Sequence, residues 1–136
     1  MQIHRFALDD FFNLINVNMD YAVYITTNPN RRVLYTGTTN NLPRRLVEHY
    51  LWRGKTRTFA GKNYCYNLLY YDVFPTMMEA IAAEKRIKGK SRKWKEELVS
   101  GFNPDWKFLN KDVVGEWPPN KMLEDPYFQN YNRKFD

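Results

Sequence analysis

The sequence predicts a single α+β domain, and three observations carry that expectation. Two strand-like segments flank a polar turn, a third strand-like run follows, and helical segments with recognisable caps lie after each. A chain of 136 residues suits one domain. With 43% hydrophobic and 17% aromatic residues it can build a core without disulfides or a structural metal.

Residues 1–18 stand apart from the rest. Phe11, Phe12, Leu14 and Ile15 are spaced for one or two amphipathic helical turns capped by Asp9 or Asp10, whereas strand character begins abruptly after Met19. The segment reads either as a helix packed on the domain or as an extension ahead of a true start at Met19. From Tyr21 to Thr26 the chain alternates, with Tyr21, Val23 and Ile25 on one side and Ala22, Tyr24 and Thr26 on the other. A polar turn over 27–32 then leads into a second strand, Val33 to Thr38, which together read as a β-hairpin. A turn centred between Pro29 and Asn30 would set Tyr24 directly opposite Tyr35.

Asn40 or Asn41 caps a helix from Leu42 to about Trp52, with Pro43 in its first turn and an apolar stripe of Leu42, Leu46 and Tyr50. A basic loop without acids follows. Residues 66–74 read as a strand buried on both faces. Pro75-Thr76 opens a helix from Met77 to Lys88 that ends at Gly89, and Ser91 caps another, Arg92 to Val99, ended by Gly101. Beyond Asn103-Pro104 the chain reads as irregular, anchored by Trp106, Phe108 and Leu109. The expected domain is 19–111, and 112–136 reads as an irregular tail on the surface.

Charge narrows the partners. Against 21 Lys and Arg stand 15 Asp and Glu, a net charge of +6, and the pI is near 9.4. That favours a polyanion, nucleic acid ahead of an anionic membrane, because no lipidation motif or long apolar run accompanies it. The single cysteine, Cys65, rules out an internal disulfide framework and a thiolate zinc site and reads as a small packed residue. The first 20 residues carry Asp9 and Asp10 and no continuous apolar stretch, so the expected compartment is the cytoplasm.

Several residues invite chemistry, each beside a plainer role. Glu84 has Ala80, Ile81 and Ile87 as helical neighbours, and a carboxylate on an apolar stripe is costly unless paired. It either pairs with Lys88 one turn on or holds a hard cation, Mg²⁺ or Mn²⁺. Arg45 and His49 share a helical face. Either Arg44 and Arg45 pair with Glu48 while His49 is a satisfied surface residue, or Arg45 offsets charge on a phosphoryl oxygen with His49 as a proton or phosphate contact. Tyr24 and Tyr35 are ordinary strand residues, or phenols that hold or relay protons at a metal-assisted site. The cations placed to hold a phosphate backbone are Arg44, Arg53, Lys55, Arg57 and Lys62, then Lys85, Lys88, Lys90, Arg92 and Lys93. Trp52, Tyr64 and Trp94 lie among them and either stack on bases or pack.

Tyr21-Ala22-Val23-Tyr24, Leu34-Tyr35-Thr36-Gly37 and the run Asn41 to His49, followed by Ala80 to Gly89 and Asn103 to Trp106, together resemble the GIY-YIG nucleases. The likeness is to their small stand-alone bacterial members, relatives of the excision-repair incision domain. It spans roughly residues 20–110, and implies a small three-stranded antiparallel sheet flanked by helices. By this resemblance, Tyr24 and Tyr35 are the motif tyrosines, one a general base or water-positioning group, and Gly37 lets the chain pass close to the site. Arg45 stabilises the pentacovalent phosphate, His49 is an auxiliary polar position, Glu84 is the single metal ligand and Asn103 supports the site. The chain departs from the pattern at Ala22 and Thr36, neither of which supplies a reacting group, and at Thr38, where the excision-repair relatives carry lysine.

The expectation is therefore a metal-dependent endonuclease acting on DNA, selecting structure rather than sequence, in repair or recombination. RNA is compatible with the same phosphate chemistry, and a protein partner is compatible with the absence of a recognition domain. The rival expectations are a non-cutting nucleic-acid-binding module of the same fold and a protein-interaction adaptor using Phe11 and Phe12.

Overall fold

A computed structural model describes residues 20–130; the 1–18 segment with Phe11 and Phe12, and residues 131–136, lie outside the described residues. The strands are β1 (Tyr21–Thr27), β2 (Leu34–Thr39) and β3 (Asn67–Phe74). The helices are α1 (Leu42–Leu51), α2 (Phe59–Lys62), α3 (Met77–Lys88), α4 (Arg92–Phe102), α5 (Asn110–Val114), α6 (Asn120–Leu123) and α7 (Pro126–Gln129). The fold is α+β with one antiparallel sheet in the order β2-β1-β3.

The first strand is central, so both of its edges are hydrogen-bonded, and helices cover both of its faces. On one side Ala22 and Tyr24 pack with Leu42, Leu46 and Val47 of α1, Leu68 of β3, and Val114, Met122 and Phe128. On the other, Val23 and Ile25 pack with Leu69 and Tyr70, Ala83 and Ile87 of α3, and Val99 of α4. A bulge opposite Ile25 and Thr26 leaves Leu69 unpaired, which explains how the consecutive Leu69 and Tyr70 both reach the second core. Among the described residues no helix is long and apolar enough to cross a membrane.

Local chemistry sets the helix starts. Side-chain oxygens of Asn41, Thr76 and Ser91 accept the backbone N–H of Arg44, Glu79 and Trp94, so Asn41 and not Asn40 is the first cap. Four expectations are corrected. The hairpin is centred one residue later, because Asn28 Oδ1 accepts from the N–H of Arg32 (2.8 Å) and Val33 (3.0 Å) and widens the turn. Tyr24 therefore faces Gly37, and Tyr35 faces Thr26. The third strand is buried on both faces only from Asn67 to Tyr70; Asp72 and Val73 are exposed. Helix α4 runs through Gly101, where an added Cβ would meet nothing within 4 Å, and stops at Asn103 because Pro104 disfavours a helical residue before it. Over the described residues 112–130 the segment after Lys111 is not irregular: α6, α7 and the end of α5 send Met122, Phe128 and Val114 into the first core.

Candidate active site

Tyr24 is the middle of the site. It lies on the central strand, 0% exposed, and its hydroxyl sits 2.7 Å from His49 Nε2. The Arg45 guanidinium lies close enough to this hydroxyl for its charge to act on it. Helix α1 delivers both partners, since residues four apart project from one face. Tyr35, two residues along the neighbouring strand from Gly37, closes the cluster, with ring centroids 6.2 Å from Tyr24 and 5.5 Å from His49. The two-residue stagger of the register keeps both tyrosines on one sheet face, so they meet diagonally rather than directly.

Gly37 is what makes room. A Cβ there would stand 2.6 Å from Tyr24 Oη and 3.0 Å from Tyr35 Cε2. Behind Arg45 lies Glu48, 3% exposed, whose Oε1 accepts from Arg45 Nε at 3.1 Å. Arg44 does not share that partner; it donates to Asn40 Oδ1 at 3.0 Å. Sequence patterning foresees the Arg45–Glu48 pair but not its burial. That burial anchors the guanidinium through Nε and leaves its terminal N–H groups outside the Glu48 bond.

Electrostatics fix the protonation states. Burial, reinforced by neighbouring Tyr35, pushes the Tyr24 phenol above its ordinary range, so it is a neutral phenol at physiological pH. Burial and then Arg45 hold His49 down at about 3, so the imidazole is neutral. His49 is thus buried, at 4% exposure, rather than the surface residue of the plainer reading, and its Nδ1 has no hydrogen-bond partner.

A pH dependence follows. The unfolded chain takes up a proton on His49 near 6.5 and the folded chain only near 3, so stability falls as pH drops through that window and is unaffected above it. By pH 4 this residue alone should cost on the order of 3 kcal/mol. Thermal melts between pH 7 and pH 4 should show His49→Gln losing less stability than the wild type; equal losses would contradict a buried neutral imidazole.

Other residues fall elsewhere. Glu84 lies on α3, which packs against β1 and β2, and its Oε2 is 3.3 Å from Lys88 Nζ, the ion pair of the plainer reading. Its side chain is 19% exposed. Among the described residues no group of three or more His, Cys, Asp and Glu could cage a metal. A lone, partly open carboxylate nevertheless fits Mg²⁺, which keeps most of its waters, and the exposed, flexible Lys88 can give way to it. Asn103 caps α4 and spends its amide on the carbonyls of Leu69 (3.1 Å) and Lys107 (2.8 Å), fastening α4 to β3. Cys65 is buried with its thiol pushed up to about 11, a packed and unreactive residue.

Of the cations, Arg53, Arg57, Lys62, Lys85, Lys88, Lys90, Arg92 and Lys93 are exposed, and Arg44 and Lys55 are half-buried. Arg53 lies over the Tyr50 ring at 3.8 Å, Lys90 is 5.5 Å from the Trp94 ring, and Arg92 pairs with Glu96 at 3.0 Å. Trp52 packs edge-on to His49 and Trp94 against the second core, while Tyr64 is 49% exposed.

A family model described as the GIY-YIG catalytic domain matches residues 20–97. The UPF0213 protein of Limosilactobacillus reuteri is 30% identical over 85 residues, covering 62% of this chain and 84% of the relative. The UPF0213 protein VPA1222 of Vibrio parahaemolyticus is 34% identical over 84 residues, 62% of this chain and 76% of that protein. The solution NMR structure of the UPF0213 protein BH0048 from Bacillus halodurans is similar at 30% identity with a TM-score of 0.44, covering 68% of this chain and 96% of that one.

Proposed function

This chain belongs to the GIY-YIG catalytic domain family, an endonuclease superfamily, and from that membership we propose that it is a metal-dependent endonuclease cutting DNA phosphodiester bonds. The observation that supports the reading most is the convergence of Tyr24, Tyr35, Arg45 and His49 around one buried hydroxyl. An ordinary packed core has no reason to assemble a guanidinium, an imidazole and two phenols there.

In this reading the scissile phosphate lies over the Arg45 terminal N–H groups. Arg45, anchored on Glu48, offsets charge as the phosphate becomes five-coordinate, and it needs no reorganisation to do so. Tyr24 is enclosed and held by His49, which suits a positioning group rather than a base. Tyr35, half-buried, is the phenol open to substrate and holds the attacking water in line with the bond that breaks. Glu84 would hold Mg²⁺ or Mn²⁺, and such a cation supplies Lewis-acid stabilisation of the phosphate and the leaving oxygen. The loop cations Lys55, Arg57 and Lys62 and the run from Lys85 to Lys93 hold the backbone without reading sequence. A role in repair or recombination and a cytoplasmic site of action belong to the same proposal.

Purified protein incubated with supercoiled plasmid and Mg²⁺ should give nicked circles, and both EDTA and Glu84→Ala should stop it. DNA binding that is indifferent to EDTA, with no cleavage of supercoiled, branched or single-stranded DNA, would replace this reading with the non-cutting binding module.

A further inference from the structure

Phe59 is an aromatic side chain for which the core has no use. It is 56% exposed, yet one face of its ring lies against Tyr35, with centroids 6.3 Å apart and planes inclined by only 23°. Tyr35 in turn meets His49 edge-on. Neighbouring rings, the outer pair stacked and the inner pair edge-on, therefore run from solvent to the Tyr24–His49 pair.

The backbone that carries Phe59 is firmly set. Thr58 Oγ1 accepts from the Gly61 N–H at 3.0 Å, and the Gly54 N–H donates to the Gly61 carbonyl at 2.9 Å. A Cβ on Gly61 would stand 2.5 Å from the Lys55 carbonyl and 2.8 Å from that of Trp52, so only glycine lets this turn nest against the end of α1. Phe59 opens that turn. The surrounding stretch from Arg53 to Lys62 contributes Arg53, Lys55, Arg57 and Lys62 and no acid. A flat apolar face among cations, beside a site for phosphate chemistry, matches one kind of occupant: a planar ring attached to a polyanionic backbone.

We propose that Phe59 is a stacking platform for an unpaired nucleobase next to the phosphate that is cut, so that the preferred substrate carries at least one unpaired nucleotide at that point. The proposal rests on the nuclease reading for its link to cleavage. A paired base has both faces taken by its neighbours and reaches Phe59 only by leaving the stack. Every base has a π-face, so the platform selects strandedness and not sequence.

The test uses full-length protein in EDTA, which separates binding from cutting. The probes are a single-stranded oligonucleotide containing 2-aminopurine and the duplex of the same sequence. Wild type should quench the single-stranded probe. Phe59→Ala should weaken single-strand binding about tenfold or more and leave duplex binding unchanged, and Phe59→Trp should restore it. Because Phe59 is exposed, Phe59→Ala should melt at the wild-type temperature. Unchanged single-strand binding, or an equal loss on both probes, would overturn the platform. Plasmid cleavage that persists alongside such a result would leave the nuclease reading intact. Phe59-dependent quenching without any cleavage in Mg²⁺ would uphold the platform and remove the enzyme.

Discussion

Gly37→Ala is expected to lose about a hundredfold in cleavage and to lower the melting temperature by several degrees. The added methyl would occupy space 2.6 Å from Tyr24 Oη and 2.8 Å from Cζ. Tyr24 cannot swing aside, because it is 0% exposed and its ring is bounded by Tyr35 and by His49, whose centroid is 5.6 Å away. Overpacking of this kind costs about 1–3 kcal/mol. A displacement of about 1 Å in a positioned hydroxyl is enough for the hundredfold loss. Adding Tyr24→Phe to Gly37→Ala removes the closest clashing atom, so melts of the double variant should recover part of the stability while cleavage stays low. A Gly37→Ala protein with wild-type rate and melting temperature would contradict the packing described.

Arg45→Ala is expected to have the larger catalytic effect, about a thousandfold, because in the proposed mechanism it removes the group that meets charge developing on the phosphate. It also strands Glu48. A carboxylate that is 3% exposed and has lost its cation costs about 3–5 kcal/mol, so this variant should be markedly unstable as well as slow. Arg45→Lys separates the two effects. An ammonium can satisfy Glu48, and the fold should survive. It cannot at once hold Glu48 and meet a phosphate bidentately, as the planar guanidinium would in the proposed mechanism, so cleavage should still fall about a hundredfold. A lysine variant with near-wild-type rate would reduce Arg45 to a source of charge.

The strands and long helices are legible because their signals are local. Thr76 before Met77 and Gly89 after Lys88 bracket α3 at its observed ends. Helical spacing joins Arg45 to His49 and the hairpin joins Tyr24 to Tyr35, but only the resemblance joins the two pairs, because the contact between β1 and α1 is set by tertiary packing. The hairpin register escapes sequence reading, since it depends on which backbone groups the Asn28 side chain captures. The four- and five-residue helices α5 to α7 are too short to show a helical period, so nothing local marks Val114, Met122 and Phe128 as core residues rather than parts of a surface tail. Glu48 is legible as a partner for Arg45 but not as a buried one. Asn103, expected to support the site, is occupied with ending α4 and holding Leu69, and Asn110, which the sequence did not single out, seals β3 by accepting from the Leu68 N–H at 2.7 Å. Phe59 escaped notice because nothing in the loop predicts that a four-residue helix will set it on Tyr35.

The most direct test of the central claim is the single-turnover cleavage rate, measured with enzyme in excess over an end-labelled DNA flap, for wild type, Arg45→Lys and Glu84→Ala. Thermal melts of the same preparations would report folding. Mg²⁺-dependent cleavage by wild type, a hundredfold loss in a folded Arg45→Lys and no cleavage by Glu84→Ala is the result predicted. Equal rates in all three proteins would contradict the site.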